Sequence, residues 1–212
     1  MASQGKISIL TIILTFLLCM FWLTMTDSDF ASDNTESEGI MIEQTLGRET
    51  AVAITQQAND WYDRLIASNQ LEEKVRHHFI PTEEERAASR GLETMGDWLF
   101  PIVEERIAGL FDMIFWLFKR IALMLIWLPL LLPLLAMSIW DGLCQRRIKL
   151  ENFALASPLK QRIGSAGSLL GVCALLVWFF VPYAIEPHVA PALLGIISVL
   201  TGFAVGNLQK RI

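Results

Sequence analysis

The sequence predicts an all-α, polytopic membrane protein with about four transmembrane helices and a small helical hairpin outside the lipid. Apolar residues make up 53% of the 212-residue chain, and its mean hydropathy is +0.45. The apolar residues collect in blocks at 7–23, 107–140, 163–183 and 189–206, whereas the segment 24–106 is polar and acidic. A soluble globule of this size would struggle to cover so much apolar surface. No alternating strand pattern is seen in the sequence.

Residues 1–23 predict an N-terminal signal-anchor helix. The uncharged run 7–23 is long for the apolar region of a cleaved signal peptide, and no Ala-x-Ala-like site follows at once. An uncleaved anchor is therefore favoured over a cleaved signal. The segment 24–39 is short, polar and acidic. This composition predicts a disordered linker.

Residues 40–106 predict a periplasmic helical region. Ile54, Ala58, Trp61 and Leu65 repeat at helical spacing, and Val75 and Phe79 continue the stripe. Pro81 ends this element, and Thr82 with Glu85 forms a capping box for a second helix. The two helices would form a hairpin too small for a large core of its own.

Residues 107–140 predict an interfacial helix followed by a Pro-kinked transmembrane helix. The run 121–140 carries no charge and matches a hydrocarbon core of about 30 Å. Pro129 and Pro133 lie inside it, and we expect them to kink the helix. Trp116, Lys119 and Arg120 would lie at the headgroups. The alternative is one long tilted helix that projects from the membrane.

Residues 141–162 predict a basic cytoplasmic loop, and residues 163–212 a transmembrane hairpin with a cytoplasmic tail. From 24 to 120 there are nineteen Asp/Glu and nine Lys/Arg, a net charge of −10, whereas the rest of the chain has three Asp/Glu and eight Lys/Arg, a net of +5. The positive-inside rule then places both termini in the cytoplasm and 24–106 in the periplasm of a bacterial inner membrane. The basic loop residues are Arg146, Arg147, Lys149, Lys160 and Arg162.

Small residues form stripes on the last two predicted spans. Such stripes let helix backbones approach closely. We expect them to pack the hairpin helices together, with contact to another subunit of a homo-oligomer as the alternative. The stripe residues are Gly167, Gly171, Gly195, Ser198, Gly202 and Gly206.

No motif in the sequence predicts an enzyme. His77 and His78 are adjacent, so on a helix they point about 100° apart and make a poor metal site. Ser165 has no histidine within the same span to act as its base. The three cysteines match no redox or metal spacing. We expect no catalytic residue, no cofactor and no metal.

The basic loop needs no role beyond setting topology, and contact with lipid headgroups or a cytoplasmic partner is the alternative. Beyond Phe153, no aromatic residues are interleaved with its charges for base stacking. Direct sequence-specific binding of nucleic acid is not expected.

Several motifs resemble the TraJ-like integral membrane proteins of integrating conjugative elements and H-type conjugative plasmids. They are Trp61-Tyr62-Asp63, Phe115-Trp116-Leu117-Phe118-Lys119-Arg120, Leu128-Pro129-Leu130-Leu131-Leu132-Pro133 and Trp140-Asp141-Gly142-Leu143. The resemblance covers most of the chain. It implies association with the coupling ATPase, which feeds DNA to the type IV secretion channel, or with other channel subunits.

The resemblance therefore implies a non-enzymatic inner-membrane component of a conjugative DNA-transfer system, acting as an adaptor or partner of the coupling ATPase. A stand-alone membrane scaffold or sensor that acts through its periplasmic helices is the alternative.

Overall fold

The computed structural model describes residues 9–18, 21, 28–80, 93–152 and 157–208. Within these ranges the regular secondary structure is helical and no strand occurs. The all-α fold class is confirmed. The helices are α1 (Ile9–Leu18), α2 (Ser28–Leu46), α3 (Arg48–Tyr62), a π-helical turn (Asp63–Ala67), α4 (Leu71–Phe79), α5 (Glu93–Glu151), α6 (Pro158–Phe180) and α7 (Val189–Gly206).

The chain divides into two compact units. The described residues of 9–18, 124–179 and 187–208 belong to one, which we call the apolar unit, and those of 21–123 and 180–186 to the other, the acidic unit. Helix α5 contributes to both. Residues 180–186, which include most of the predicted turn between the last two spans, thus belong to the same unit as the acidic segment.

Three described helices are long and apolar enough to cross a membrane: one within Leu99–Glu151, and the helices Pro158–Phe180 and Val189–Gly206. The apolar helix α1 has only ten described residues. The prediction of several apolar spans is confirmed, whereas the count of four stays a prediction.

Helix α5 is continuous over 59 residues, which gives it a length of about 88 Å at 1.5 Å per residue. The predicted interfacial helix and the predicted span are therefore parts of one continuous helix, with no break between them. An interfacial position of its first part stays a prediction. No residue between 118 and 121 interrupts the helix. None of them is a proline or a glycine, so each has a backbone N–H that can bond within the helix. The helix also continues through Pro129 and Pro133, both of which are exposed. A kink at these prolines stays a prediction.

Helix α2 runs through most of the segment 24–39 that the composition predicts to be disordered. Residues 28–39 are helical, so the linker prediction is wrong there, and 24–27 lie outside the described residues. The composition has too few apolar residues for a helix that stands alone. Side chains of α2 instead make buried polar contacts with α5 and with the loop 181–186, described below.

The π-helical turn changes which residues of the predicted stripe are buried. Its wider i→i+5 bonding is visible in the hydrogen bond from the Ser68 N–H to the Asp63 carbonyl, at 2.8 Å. Ile54 and Ala58 are buried as the stripe predicts, but Leu65 is 52% exposed and Ile66 is buried in its place. One extra residue in the turn accounts for the shift by one position.

Ile66 packs into the core of the acidic unit. It forms a cluster with Ile107 and Phe111 of α5, against which Val75 and Ile80 also pack. The larger part of that core is therefore made by α5. Helix α4 ends at Phe79, just before Pro81, and the capping box at Thr82 and Glu85 lies outside the described residues.

Glycines bring α5, α6 and α7 of the apolar unit together. A Cβ added at Gly142 of α5 would fall on the backbone of Gly202 in α7, and one added at Gly202 would fall on Ser138 of α5. The Ser138 hydroxyl donates to the Ser198 carbonyl at 2.7 Å. Helix α7 thus packs on α5 through backbone-to-backbone approach, as small residues allow.

The other face of α7 packs on α6. A Cβ at Gly167 would lie 2.9 Å from Leu200, and one at Gly171 would fall against Ile197. Gly206 faces Gly142 and Gln145 of α5. Gly195 has more room, since its nearest neighbour would be a Leu134 methyl group at 4.0 Å.

Gly202→Ala should destabilise the apolar unit. The new methyl group would meet Ser138 backbone atoms that cannot move aside easily, and overpacking of this kind costs about 1–3 kcal/mol. We expect a lower thermal midpoint of the purified chain in mild detergent, followed by circular dichroism. Gly195→Ala is the matched control and should be neutral or stabilising, because Ala is the better helix former. Equal midpoints for the two variants would contradict this packing.

Candidate functional site

A buried ion pair between Arg120 of α5 and Glu38 of α2 lies in the acidic unit. Each side chain is 1% exposed. Nε of Arg120 donates to the two carboxylate oxygens of Glu38 at 3.1 and 3.2 Å, and Nη2 donates to Oε2 at 3.1 Å. A pair this deep is stable only when its remaining hydrogen-bonding groups also find partners.

Trp116 covers this pair from one turn earlier on α5. Its indole N–H donates to Oε2 of Glu38. The Arg120 Cζ lies 4.4 Å from the centroid of the indole ring, which is a cation–π distance. Residues four apart on a helix are neighbours, so α5 alone brings Trp116 and Arg120 together, and α2 supplies the carboxylate.

The remaining Arg120 donors hold the loop between α6 and α7. Nη1 donates to the Val181 carbonyl at 2.9 Å, and Nη2 to the Tyr183 carbonyl at 2.6 Å. The Ala184 N–H donates to Oδ1 of Asn34 in α2 at 3.1 Å. A loop without its own hydrogen-bond ladder needs such partners for its buried polar groups. We call Glu38, Trp116, Arg120 and these loop carbonyls the arginine cluster.

A position at the headgroups stays a prediction for Trp116, Lys119 and Arg120, but their side chains are not open to the surroundings as an interfacial anchor would be. All three side chains are buried within the acidic unit: they are 1%, 8% and 1% exposed. The Lys119 ammonium donates to the Thr35 carbonyl of α2 at 3.2 Å. Aromatic and basic residues at the end of a span often lie at the interface, and in this chain α2 also covers them.

An open groove of about 730 Å³ lies beside the arginine cluster. Its floor and walls come from α2, α3 and α5. Ile40 and Val52 line it with about half of each side chain exposed, and Phe115 adds an aromatic surface. Pockets of a few hundred Å³ with apolar walls and a few polar groups are typical of binding sites.

Charged groups of both signs line the groove. Glu36 and Glu43 of α2 and Asp112 of α5 contribute carboxylates, whereas Arg48 and Lys119 contribute cations. Helix α2 has no basic residue. The groove can therefore offer apolar contacts from Ile40, Val52 and Phe115 together with charged groups of both signs. The sequence stripe did not reveal this groove, because α5 is distant in the chain from α2 and α3.

Tyr62 is the last residue of α3, in the same unit. Burial raises the pKa of its phenol to about 12, and Glu72, which accepts the phenol hydrogen bond at 3.3 Å, adds to the rise. Its ring packs edge-on against Phe115, at a centroid distance of 5.9 Å. Tyr62 thus supports the helix that carries the aromatic wall of the groove.

The predicted basic residues lie on two helices of the apolar unit rather than in a loop. Arg146, Arg147 and Lys149 belong to the end of α5, and Lys160 and Arg162 to the start of α6. Lys149 has a structural contact: its ammonium donates to the Gly206 carbonyl and to Oδ1 of Asn207, both at 2.9 Å. It therefore caps the C-terminal end of α7, where a cation is favourable.

The remaining candidate side chains are His77, His78, Ser165 and the described cysteines. His77 and His78 are exposed on α4. Among the described residues, no group of three or more His, Cys, Asp or Glu side chains is placed to hold a metal ion. Cys144 is exposed and Cys173 is buried, and the Ser165 hydroxyl donates to the Arg162 carbonyl at 3.2 Å.

Arg120→Ala should destabilise the chain by about 3–5 kcal/mol, since it leaves the Glu38 carboxylate buried without its partner. Thermal unfolding in mild detergent measures the loss. Arg64→Ala removes an exposed arginine of the same unit and is the matched control, with little expected effect. A double variant, Glu38→Leu with Arg120→Met, should recover part of the loss. Equal stability of Arg120→Ala and Arg64→Ala would contradict a buried cluster.

The Tyr62 phenol should titrate near pH 12 in the folded chain. The chain has two tyrosines, so a Tyr183→Phe background leaves Tyr62 as the single ultraviolet reporter of phenolate. Adding Glu72→Gln should lower the midpoint, because a nearby negative charge is removed. The folded pKa is raised above the unfolded value of about 10, so the contribution of Tyr62 to stability is present below pH 10 and is lost as the pH rises towards 12. A folded midpoint near 10 would contradict this placement.

Comparison with known proteins links the chain to a family of conjugation proteins. The model of that family matches residues 21–211, and its description reads IncC plasmid conjugative DNA transfer protein DtrJ-like. No curated protein and no solved structure matches the chain significantly. The match confirms the link to conjugative DNA transfer that the sequence motifs imply. It does not confirm the TraJ-like family in which those motifs were recognised.

Proposed function

Since the chain belongs to the DtrJ-like family of conjugative DNA transfer proteins, we propose that it is a non-enzymatic inner-membrane component of the transfer apparatus. Its role would be that of an adaptor that binds the coupling ATPase or another subunit of the type IV secretion channel. The non-enzymatic part rests on the sequence, in which no catalytic motif was found.

The groove of the acidic unit is the observation that supports an adaptor. Ile40 and Val52 are about half exposed there beside Phe115, and an apolar surface of this kind gains free energy when a partner covers it. The carboxylates and cations at the edge would fix the orientation of that partner. An apolar centre with a polar rim is the usual anatomy of a protein interface.

The arginine cluster makes this surface suitable for recognition. Glu38 and Arg120 join α2 to α5, so the two walls of the groove are held together by a buried pair. A preformed surface loses less conformational entropy on binding than a flexible one. Helix α5 continues without a break into the apolar unit, so a partner bound at the groove is attached to the helix that contains the first long apolar span.

The proposed location is the bacterial inner membrane, with both termini in the cytoplasm and residues 24–106 in the periplasm. The three apolar helices support a membrane location. The shared unit of the acidic segment and the loop 180–186 supports placing both on the same side. The basic residues at the other end of the hairpin support the cytoplasmic assignment.

Changing the groove should reduce both partner binding and DNA transfer. Val52→Lys with Ile40→Lys introduces two charges into the apolar lining, and we expect a large loss of the coupling ATPase or channel subunit that co-purifies after mild detergent extraction. Conjugation frequency from a donor that carries this variant should fall in parallel. Leu65→Lys is the matched control, because Leu65 is equally exposed but does not line the groove.

A deletion strain distinguishes the adaptor from a stand-alone scaffold or sensor. Loss of transfer in the deletion, restored by the wild-type gene, is the expected result. Normal DNA transfer in the deletion strain would contradict the proposed adaptor role. Repeated failure to recover any channel subunit with the wild-type chain would also contradict it.

Single cysteines introduced into a cysteine-free chain should report the topology. The natural cysteines are Cys19, Cys144 and Cys173. A thiol reagent that does not cross the inner membrane should label Arg64→Cys from outside and leave Leu150→Cys unlabelled until the membrane is opened. Both positions are exposed in their units, so access through the membrane decides the outcome. Labelling of residue 150 from outside would reverse the proposed orientation.

A further inference from the structure

One end of the apolar unit carries a concentration of positive charge. Gly142 of α5 and Gly164 of α6 contact α7 at Gly202 and Ala204 respectively. The basic residues of α5 follow Gly142 and those of α6 precede Gly164, each within about two turns. Because α6 runs antiparallel to α7, both sets lie towards the same end of the unit. They therefore lie at the end of the apolar unit where α7 ends. We call this set the basic end; its members are Arg146, Arg147, Lys160 and Arg162.

The charges of the basic end are not neutralised within the described chain. Lys149, the fifth cation of this region, is bound to the end of α7. The four members of the basic end have no ion-pair partner among the residues that the structure describes. Of the described carboxylates nearby, Asp141 accepts a hydrogen bond from Gln145 at 2.7 Å, and Glu151 is exposed.

Large apolar side chains are exposed between these cations. Ile148 and Leu150 are 56% and 51% exposed on α5, and Leu159 and Ile163 are 66% and 54% exposed on α6. An aqueous surface would leave these four side chains in water. At a membrane surface, apolar side chains enter the acyl region while Lys and Arg reach the headgroups. The same helix segments thus offer cations and apolar contact together.

The start of α6 adds to the positive potential. Its first turn has no acidic residue, although a carboxylate is the group that stabilises a helix N-terminus. Lys160 and Arg162 instead place two cations close to it. A phosphate at this position would be attracted by both cations.

We propose that the basic end binds the phosphate groups of anionic phospholipids in preference to zwitterionic ones. The inference rests on the membrane location proposed above and adds a lipid partner to it. The interleaved apolar side chains favour a lipid over a nucleic acid, because a nucleic acid would leave them uncovered. Binding of anionic lipid at this end would fix the depth and tilt of α5 and α6 through contacts made by their own side chains.

The test compares the wild-type chain with a variant that removes the basic end. The variant carries Arg146→Gln, Arg147→Gln, Lys160→Gln and Arg162→Gln and keeps Lys149 in its capping contact. The matched control, Arg64→Gln with Lys74→Gln, removes exposed cations from the acidic unit. Each protein is reconstituted into nanodiscs that contain equal amounts of phosphatidylglycerol and phosphatidylethanolamine. The lipid retained after mild detergent extraction is then measured by mass spectrometry.

The wild-type chain and the control should retain more phosphatidylglycerol than phosphatidylethanolamine, and added salt should weaken this preference. Each cation removed from the basic end should lower the relative affinity about fivefold, the factor that corresponds to about 1 kcal/mol per basic residue at an anionic surface. The variant should therefore lose the preference while keeping its circular dichroism spectrum.

A second measurement needs no variant, should the fourfold substitution fail to fold. The thermal midpoint of the wild-type chain should be higher in phosphatidylglycerol nanodiscs than in phosphatidylcholine nanodiscs. Equal midpoints, or equal lipid retention by wild type and folded variant, would overturn the proposal. So would binding of single-stranded DNA through these four residues with no lipid preference. Membrane fractionation of cells tests the location separately, so a membrane-bound chain without lipid preference contradicts this inference alone.

Discussion

The buried pair of Arg120 and Glu38 is the interaction on which the arrangement of the acidic unit depends. It joins α2 to α5 and, through the same guanidinium, holds the loop that links α6 to α7. An arginine suits this position because its planar group presents five donors in fixed directions. A lysine would offer a single point of charge and could not bind a carboxylate and two carbonyls in this geometry. Removing either partner of the pair would leave an uncompensated charge in the interior.

The groove is a consequence of this pair. Helix α2 is acidic and carries few apolar residues, so it would not be ordered by hydrophobic burial alone. Once Glu38 is fixed on α5, the remaining side chains of α2 are held at a set distance from α3 and α5. Ile40 then faces the groove instead of a core, which leaves apolar surface for a partner. The proposed binding surface and its support therefore come from Ile40 and Glu38, two positions apart on the same helix.

The apolar unit depends on a different kind of contact. Gly142 and Gly202 allow α5 and α7 to touch through their backbones, and Gly167 and Gly171 receive side chains of α7. In lipid there is little hydrophobic gain from packing helices, so close approach and a few hydrogen bonds decide the arrangement. The chain thus combines a polar cluster in one unit with glycine packing in the other, and α5 is common to both.

The sequence by itself determined the helical class, the apolar runs and the polar, acidic character of the intervening segment, because these follow from local composition and periodicity. It also pointed to conjugative transfer through its motifs. It did not predict the helix over 28–39, the burial of Trp116 and Arg120, the shift from Leu65 to Ile66, or the groove. Glu38 and Arg120 are 82 residues apart, and a periodic pattern contains no information about a pair at that separation. Only the tertiary structure decided those features, since each depends on groups that approach one another after the chain has folded.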